Sequence, residues 1–320
     1  MKPTIGTTYL TVADLERSTH YYQHHIGLQL HHQEGNTASL GVGAEDLLVL
    51  QEQPGARHLQ GVTGLYHFAI LVPNRHELGR TLRHLIETET PLGGFADHAV
   101  SEAIYLSDPD GHGIEIYRDR PEAEWPRVNG QIDMTTIQLN IPEILALVKN
   151  DQTAWTGLAE GTILGHIHLH VSDLKQAVAF YRQVLGMDLI TYYGDMAAFV
   201  SYNGYHHHVG LNTWAGVGAP PPPPEAAQLR WYQLRLPDAA ALLTIIQRAQ
   251  AYNWPVQSQG SGFFIQDPAQ NTIMLTVQPA ESEGTQRTRR GGTEIHREKP
   301  DYWGHIMKSD PRTISLQKRP

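Results

Sequence analysis

The stretch TVADLERSTHYYQHHIGLQL, residues 11–30, resembles HVSDLKQAVAFYRQVLGMDL, residues 170–189. Identical residues recur at a constant offset of 159, and in the first stretch they are Val12, Asp14, Leu15, Tyr22, Gly27 and Leu30. The same offset carries Asp108 and Pro109 onto Asp267 and Pro268. Because chance similarity would not keep one register over two separated segments, the pattern indicates that a whole domain has been duplicated.

Each half divides into two modules that begin with a strand and a helix. In the first module, the strand YLTV leads to Asp14, a good helix N-cap, and apolar residues recur at helical spacing up to Gly27. In the second, YHFAILV precedes the helical pattern HELGRTLRHLIET, and the strands AIYLS and GIEIY flank the turn DPDG. The third and fourth modules start at GHIHLHV and RWYQLRLP. We therefore predict an α+β fold of four βαβββ modules paired into two domains.

The predicted domain boundaries follow the order of the modules. We expect modules one and two to form a first domain at residues 1–118, and modules three and four a second at residues 164–279. Residues 119–163 form a connector that contains the short helical pattern IPEILALVKN. Residues 280–320 are rich in Gly, Arg, Glu and Ser and poor in core-forming residues, so we expect a disordered tail.

The composition of the 320-residue chain limits both its location and its metal chemistry. No apolar run approaches the roughly 18 residues of a transmembrane helix, and MKPTIGTTYL has no apolar signal-peptide core, so we predict a cytoplasmic protein without a membrane partner. The net charge of −9 disfavours nucleic acid as a partner. Because cysteine is absent, any metal must be bound by His, Asp or Glu, and the count of 19 histidines is unusual.

Several histidines and one glutamate occupy strand positions where apolar residues are expected. His67 lies in GLYHFAILVP, and the alternating His166, His168 and His170 of GHIHLHV share one strand face. Glu115 lies in GIEIY, where burial of a carboxylate is costly unless it is paired or binds a metal. Two imidazoles and one carboxylate form the facial triad of non-haem Fe(II) oxygenases.

Taken singly, each of these residues has an ordinary explanation. A lone strand histidine such as His67 is usually a satisfied polar residue. Glu115 could pair with a cation on a solvent-facing side of its strand, and GHIHLHV could be a half-exposed edge. Only the joint pattern favours a metal site.

The modules resemble the vicinal oxygen chelate superfamily, which contains glyoxalases, bleomycin-resistance proteins and extradiol dioxygenases. The segment from His98 to Glu115 is similar to the extradiol ring-cleavage signature, and the matching residues are His98, Ile104, Tyr105, Asp108, Pro109, Gly111 and Glu115. Ala96, two residues before His98, departs from the pattern, which usually has Gly or one of a few other residues there. Up to about residue 279 the chain also resembles the bacterial catechol 2,3-dioxygenase group.

The resemblance implies roles for individual residues. His67, Glu115 and His166 match the metal ligands, for which Fe(II) is expected and Mn(II) is an alternative. His98 and Tyr105 match the groups that contact the substrate hydroxyls and the ring-opening intermediate. His207 in YHHHVGL fits the histidine beside the O₂ site, and the substrate class is a catechol-type diol.

The duplicated positions lack this polar set. Thr7 stands for His166, Trp231 for His67, Phe264 for Tyr105 and Met274 for Glu115. Modules two and three alone therefore hold a full set of ligands. Since ligands of one metal lie within about 2 to 2.2 Å of it, these two modules should face each other, either in one chain or across a dimer interface.

Three functions agree with this pattern. The first is an extradiol dioxygenase that inserts both atoms of O₂ into a catechol-type ring. The second is a glyoxalase-type isomerase or lyase, which uses a metal without redox chemistry. The third is a small-molecule-binding protein, which needs a cleft and no metal. The sequence leaves open which catechol is used and whether the chain forms a homo-oligomer.

Overall fold

Each of the four predicted modules folds as a strand, a helix and three further strands. A computed structural model of the chain describes residues 2–260 and 262–278, and the predicted tail at residues 280–320 lies outside the described residues. The first module comprises β1 (Thr4–Val12), α1 (Leu15–Tyr21), β2 (Gln29–Glu34), β3 (Thr37–Val42) and β4 (Glu45–Glu52). The second comprises β5 (Gly64–Leu71), α2 (Arg75–Glu87), β6 (Leu92–Asp97), β7 (Ser101–Ser107) and β8 (Gly113–Asp119).

The connector and the second half complete the chain. The connector holds a short 3₁₀ helix (Glu122–Glu124), the hairpin of β9 (Arg127–Val128) and β10 (Gln131–Ile132), and the predicted short helix, α3 (Ile141–Leu147). The third module comprises β11 (Ile163–His170), α4 (Leu174–Gln183), β12 (Asp188–Tyr193), β13 (Ala197–Ser201) and β14 (Val209–Asn212). The fourth comprises β15 (Leu229–Leu236), α5 (Ala239–Ala251), β16 (Gln257–Gln259), β17 (Gly262–Gln266) and β18 (Thr272–Val277).

The module helices begin at equivalent capping residues. The side chains of Asp14, Asn74, Asp173 and Asp238 each accept a hydrogen bond from a backbone N–H three residues further on. Such a cap satisfies one of the free N–H groups of the first turn. The predicted cap at Asp14 is therefore confirmed. After α1 the chain adds one π-helical turn, and Gly27 ends it in the left-handed conformation.

The strands form two eight-stranded sheets. The first sheet has the order β16-β17-β18-β15-β1-β4-β3-β2 and combines modules one and four. The second sheet has the order β12-β13-β14-β11-β5-β8-β7-β6 and combines modules two and three. In each sheet, the first strands of the two modules pair antiparallel at the centre. No helix of the described residues is long and apolar enough to cross a membrane.

The sheets combine the modules differently from the predicted domains at residues 1–118 and 164–279. The first strand of a module bonds its own last strand on one side, as β1 bonds β4 and β5 bonds β8, so its other edge is open. An open edge must be paired or covered. Within the described residues, β1 pairs with β15 of module four and β5 with β11 of module three. The repeat does not distinguish between pairings, because every module offers the same free edge.

Buried hydrogen bonds join the consecutive modules instead. The hydroxyl of Tyr22 in module one donates to Asp108 of module two at 2.8 Å. At the duplicated positions, the Tyr181 hydroxyl donates to Asp267 at 3.3 Å, so modules three and four are joined in the same way. The turn after Asp267 is tied to its carboxylate by the backbone N–H of Asn271 at 2.9 Å. The duplication has therefore preserved a buried contact as well as a sequence pattern.

Asp267 makes the stability of the chain dependent on pH. Burial raises the pKa of Asp267 to about 6, although hydrogen bonds from Asn271 and Tyr181 act in the opposite direction. The folded state therefore keeps a proton that the unfolded chain loses near pH 4, so stability falls as pH rises from about 4 to 6. In Asp267→Asn this loss should disappear. In denaturant melts of the metal-free chain, the free energy of unfolding of the variant minus that of wild type should increase by about 3 kcal/mol from pH 4 to pH 7.

The exposed Asp188 provides the matched control. Asp188→Asn also removes one carboxylate. Its free energy of unfolding should differ from that of wild type by the same amount at every pH from 4 to 7. An equal pH dependence in wild type and Asp267→Asn would contradict the assignment.

Candidate metal centre

Three predicted ligands from three strands of the second sheet converge on one point. His67 lies on β5, Glu115 on β8 and His166 on β11, and one ligand atom of each lies within 4.8 Å of the other two. Nε2 of His67 is 3.0 Å and Nε2 of His166 is 3.2 Å from Oε2 of Glu115. All three side chains are buried. The cluster forms within one chain, at the seam between modules two and three.

The register of the strands explains this convergence. Ala69 of β5 pairs with Glu115 on one side and with His166 on the other, so these three residues form a row across the sheet. Because Ala69 has only a methyl group, the longer side chains on either side can meet above it. β8 also approaches β5 closely, and a Cβ at Gly113 would lie 2.0 Å from the backbone oxygen of Tyr66. A small residue in the row and a glycine at its edge leave space for the cluster.

Glu115 differs from the other buried glutamate of this sheet in its partners. Glu102 is surrounded by three arginines, with Arg75 at 2.8 Å, Arg118 at 2.5 Å and Arg120 at 3.3 Å. Among the described residues, Glu115 has ion-pair contacts with His67 and His166 and with no lysine or arginine. A buried carboxylate without a permanent cation is costly. A bound metal cation would remove this cost.

The protonation states suit a cation. Burial on its own would raise the pKa of Glu115, but His166 and His67 beside it hold the pKa well below its usual range. Burial lowers the pKa of His166, although Glu115 partly opposes the shift. An ionised carboxylate and a neutral imidazole are the forms that bind metals.

The ligand atoms also fit the geometry of a facial triad. Nε2 of His67 is buried and has no hydrogen-bond partner, although it lies 3.0 Å from Oε2 of Glu115. Ligands at about 2.1 Å from one metal and at right angles to each other are about 3 Å apart. The two nitrogen-to-oxygen distances match this separation, so the residues present fit a divalent cation of the Fe(II) or Mn(II) type.

In the part of the chain that the structure describes, the equivalent place in the first sheet contains no such set. Trp231 pairs with Tyr9 there, as His67 pairs with His168 in the second sheet. Met274 pairs with Gln233, as Glu115 pairs with Ala69. The amide oxygen of Gln233 accepts a hydrogen bond from the backbone of Thr7 at 3.2 Å. The sequence assignment of these duplicated positions agrees with the strand register, and larger side chains fill the space.

A cavity of about 290 Å³ opens beside the cluster, and His67, Glu115, His98, Tyr105 and His207 line it. His98 Nε2 lies 2.8 Å from the Tyr105 hydroxyl, and its Nδ1 lies 2.9 Å from the backbone oxygen of Thr135 in the connector. A carbonyl only accepts, so Nδ1 carries the proton and Nε2 accepts from Tyr105.

Tyr105 and His207 are both held in their neutral forms. Burial, followed by the charge of Glu115, raises the pKa of Tyr105 well above its usual range. Burial, followed by the neighbouring His166, lowers the pKa of His207 well below its usual range. The cavity is therefore lined by one protonated hydroxyl and one neutral imidazole beside the cluster.

His207 lies in the loop before β14. Its ring is 4.1 Å from that of His166, centroid to centroid. His206 is buried against Asp119, and His208 bonds to Ser201, so neither neighbour lines the cavity. Of the three histidines, His207 is the one beside the cluster.

Sequence analysis missed part of the cavity wall. Tyr66, Tyr193, Phe199 and Trp214 come from four separate segments of modules two and three, and Met134 comes from the connector. No spacing in the sequence relates these residues. Their common feature, a place on the inner side of the second sheet, depends on the pairing of the modules.

Comparisons with known proteins agree with the fold. The sequence matches the family model described as Glyoxalase/Bleomycin resistance protein/Dioxygenase superfamily over residues 4–116 and 163–312. It is 45% identical over 278 residues to the catechol-2,3-dioxygenase of Bacillus subtilis (strain 168), which covers 85% of this chain and 96% of that protein.

Solved structures show a likeness of fold. Glyoxalase I from Zea mays has a TM-score of 0.53 at 16% identity, over 86% of this chain and 92% of that one. The cppA protein from Streptococcus pneumoniae TIGR4 has a TM-score of 0.51 at 12% identity, over 87% of this chain and 98% of that one.

Removal of a single ligand should abolish stoichiometric metal binding. We expect His67→Ala, Glu115→Ala and His166→Ala to lose bound Fe(II) or Mn(II), because each leaves two ligands of three. The matched control is His168→Asn, since His168 is buried on the same strand face as His166 but lies outside the cluster. It should retain about one metal ion per chain in elemental analysis after dialysis. Full occupancy in Glu115→Ala would disprove the site.

Proposed function

The chain belongs to the Glyoxalase/Bleomycin resistance protein/Dioxygenase superfamily, and we propose that it is an extradiol dioxygenase that opens catechol-type rings with O₂. The observation that carries the proposal is the buried cluster of His67, Glu115 and His166 beside a cavity with neutral donors and acceptors. The relative from Bacillus subtilis, 45% identical over almost its whole length, is named a catechol-2,3-dioxygenase, and this supports the same substrate class.

His67, Glu115 and His166 would hold Fe(II), although the same ligands accept Mn(II). When bound, the metal supplies a positive charge that favours loss of the catechol protons and a site at which O₂ can react. In the overall reaction, one ring carbon–carbon bond next to the two hydroxyls breaks and both oxygen atoms enter the product. No other oxidant is required.

The side chains of the cavity handle protons and orient the substrate. His207 is neutral and can accept a proton from a substrate hydroxyl and later return it. Tyr105 keeps its proton, which it donates to His98 in this structure and can redirect to a substrate oxygen that gains negative charge. His98 accepts from Tyr105 and is held by Thr135, so this pair presents a fixed polar surface to the ring oxygens. A glyoxalase-type isomerase would not need the pair of His98 and Tyr105.

Ring cleavage can be tested directly with the wild-type protein. After anaerobic loading with Fe(II), addition of catechol and O₂ should give a yellow ring-fission product with one O₂ consumed per catechol. His98→Ala, His207→Ala and Tyr105→Phe should keep the metal yet turn over more slowly, by about 10² to 10⁴ for a histidine that transfers protons. An Fe(II)-loaded wild type that consumes no O₂ with any catechol would contradict the proposal.

The cavity walls also indicate which catechols fit. Ala96, Val100, Met134, Phe199 and Trp214 are among the lining residues, and no lysine or arginine is found among the described lining residues. Apolar walls favour an apolar substituent, and an unpaired carboxylate would lose hydration there without gaining a partner.

Substrate preference should follow this wall chemistry. The ratio kcat/KM should be at least about 10-fold higher for 4-methylcatechol than for 3,4-dihydroxyphenylacetate, because a buried unpaired charge costs more than one kcal/mol. The kcat/KM for unsubstituted catechol is the reference, because it measures the contribution of the ring that all three substrates share. Equal or reversed preference would show that a cation reaches the cavity from elsewhere in the protein.

A further inference from the structure

We infer that Asp119 and His206 act as a positioning pair that fixes the tautomer of His207, so that His207 presents an unprotonated Nε2 to the cavity. The inference rests on the proposed function, in which His207 exchanges a proton with the substrate. It adds two residues, one of them fully buried, that do not line the cavity.

Three side chains form a continuous hydrogen-bonded row. Oδ1 of Asp119 lies 2.7 Å from Nε2 of His206. Nδ1 of His206 lies 2.9 Å from Nδ1 of His207. The row runs from the partly exposed end of β8 to the cavity beside the metal ligands.

The chemistry of the row determines where each proton lies. A carboxylate only accepts, so Nε2 of His206 must carry the proton that Asp119 receives. In the tautomer of His206 whose single ring proton lies on Nε2, Nδ1 is bare and can only accept. His207 must therefore donate through its Nδ1–H, which leaves its Nε2 with a free lone pair. Among the described residues, this Nε2 has no hydrogen-bond partner.

Asp119 is itself held in place by neighbouring tyrosines. The Tyr205 hydroxyl donates to Oδ2 of Asp119 at 2.9 Å, which leaves Tyr117 to donate to Tyr205 at 2.8 Å. The Tyr117 ring packs against His166 with 4.7 Å between centroids. Glu115, Tyr117 and Asp119 alternate along β8 and so share one face. One strand therefore carries a metal ligand and the start of the positioning row.

The function of the row follows from what His207 has to do. A histidine that presents N–H to the cavity can donate but cannot accept a proton from a substrate hydroxyl. An unconstrained imidazole would occupy both tautomers and rotate. A row anchored at Asp119 holds one tautomer and one ring orientation, and such outer contacts typically change activity by about 10- to 100-fold.

Two substitutions at His206 separate this role from simple packing. The amide of Gln reaches the position of Nε2, so His206→Gln can keep the contact with Asp119 and loses the acceptor for His207. The amide of Asn reaches the position of Nδ1, so His206→Asn can keep that acceptor. His208→Gln is the matched control, because His208 is buried two residues after His206 but bonds to Ser201 and the backbone of Tyr202.

The experiment measures iron content, kcat, KM with catechol, and histidine tautomers. The tautomers are read from ¹⁵N chemical shifts of the metal-free full chain, with the His207 signal assigned by its absence in His207→Asn. We expect His207 to be an Nδ1–H tautomer in wild type and in His206→Asn. In His206→Gln it should change to Nε2–H or a mixture, with kcat lower by about 10- to 100-fold and iron content and KM unchanged. His208→Gln should retain kcat.

An Nε2–H tautomer of His207 in wild type would overturn the inference. Wild-type kcat in His206→Gln would also overturn it, as would an equal loss of kcat in His206→Gln and His208→Gln, which would indicate packing. If wild type turned over no catechol, the proposed function would fail, while the tautomer measurement would still decide the inference.

Discussion

A carboxylate buried inside a β-sheet needs a positive partner, and the surroundings of Glu115 are arranged around that need. Glu102, on the adjacent strand β7 of the same sheet, is surrounded by three arginines. Glu115 contacts two imidazoles, and the small Ala69 lies beside it in the row across the sheet. The Nε2 atom of His67 next to it is buried and has no hydrogen-bond partner. Each of these features would be unfavourable in a sheet built only for packing, and together they leave room for a cation.

The two sheets show how a duplicated fold divides its tasks. The first sheet keeps the strand register of the second, but Trp231, Gln233 and Met274 occupy the places of His67, Ala69 and Glu115. Fold and site are therefore separable here, since one register supports either a filled interior or a polar centre. The buried contact of Tyr22 with Asp108, repeated as Tyr181 with Asp267, joins consecutive modules and so links the two sheets.

Local signals in the sequence predicted the modules and the polar cluster. Features that depend on pairing between distant segments could not be predicted in this way. The cap at Asp14 and the strand position of Glu115 depend on near neighbours, so their patterns were readable. The distribution of ligands also indicated that modules two and three meet. The combination of modules into sheets differed from the sequential domains because four equivalent strand edges give no preference. The contact of His206 with Asp119 joins residues 87 positions apart, and no pattern in the sequence predicts it.

The central claim is that one metal lies at the seam between modules two and three. It is tested most directly by anomalous X-ray diffraction at the iron edge from crystals of the Fe(II)-loaded protein grown without O₂. A single peak per chain should lie within about 2 to 2.2 Å of ligand atoms of His67, Glu115 and His166. A peak at any other residues, or none at this seam in protein that contains iron, would contradict it.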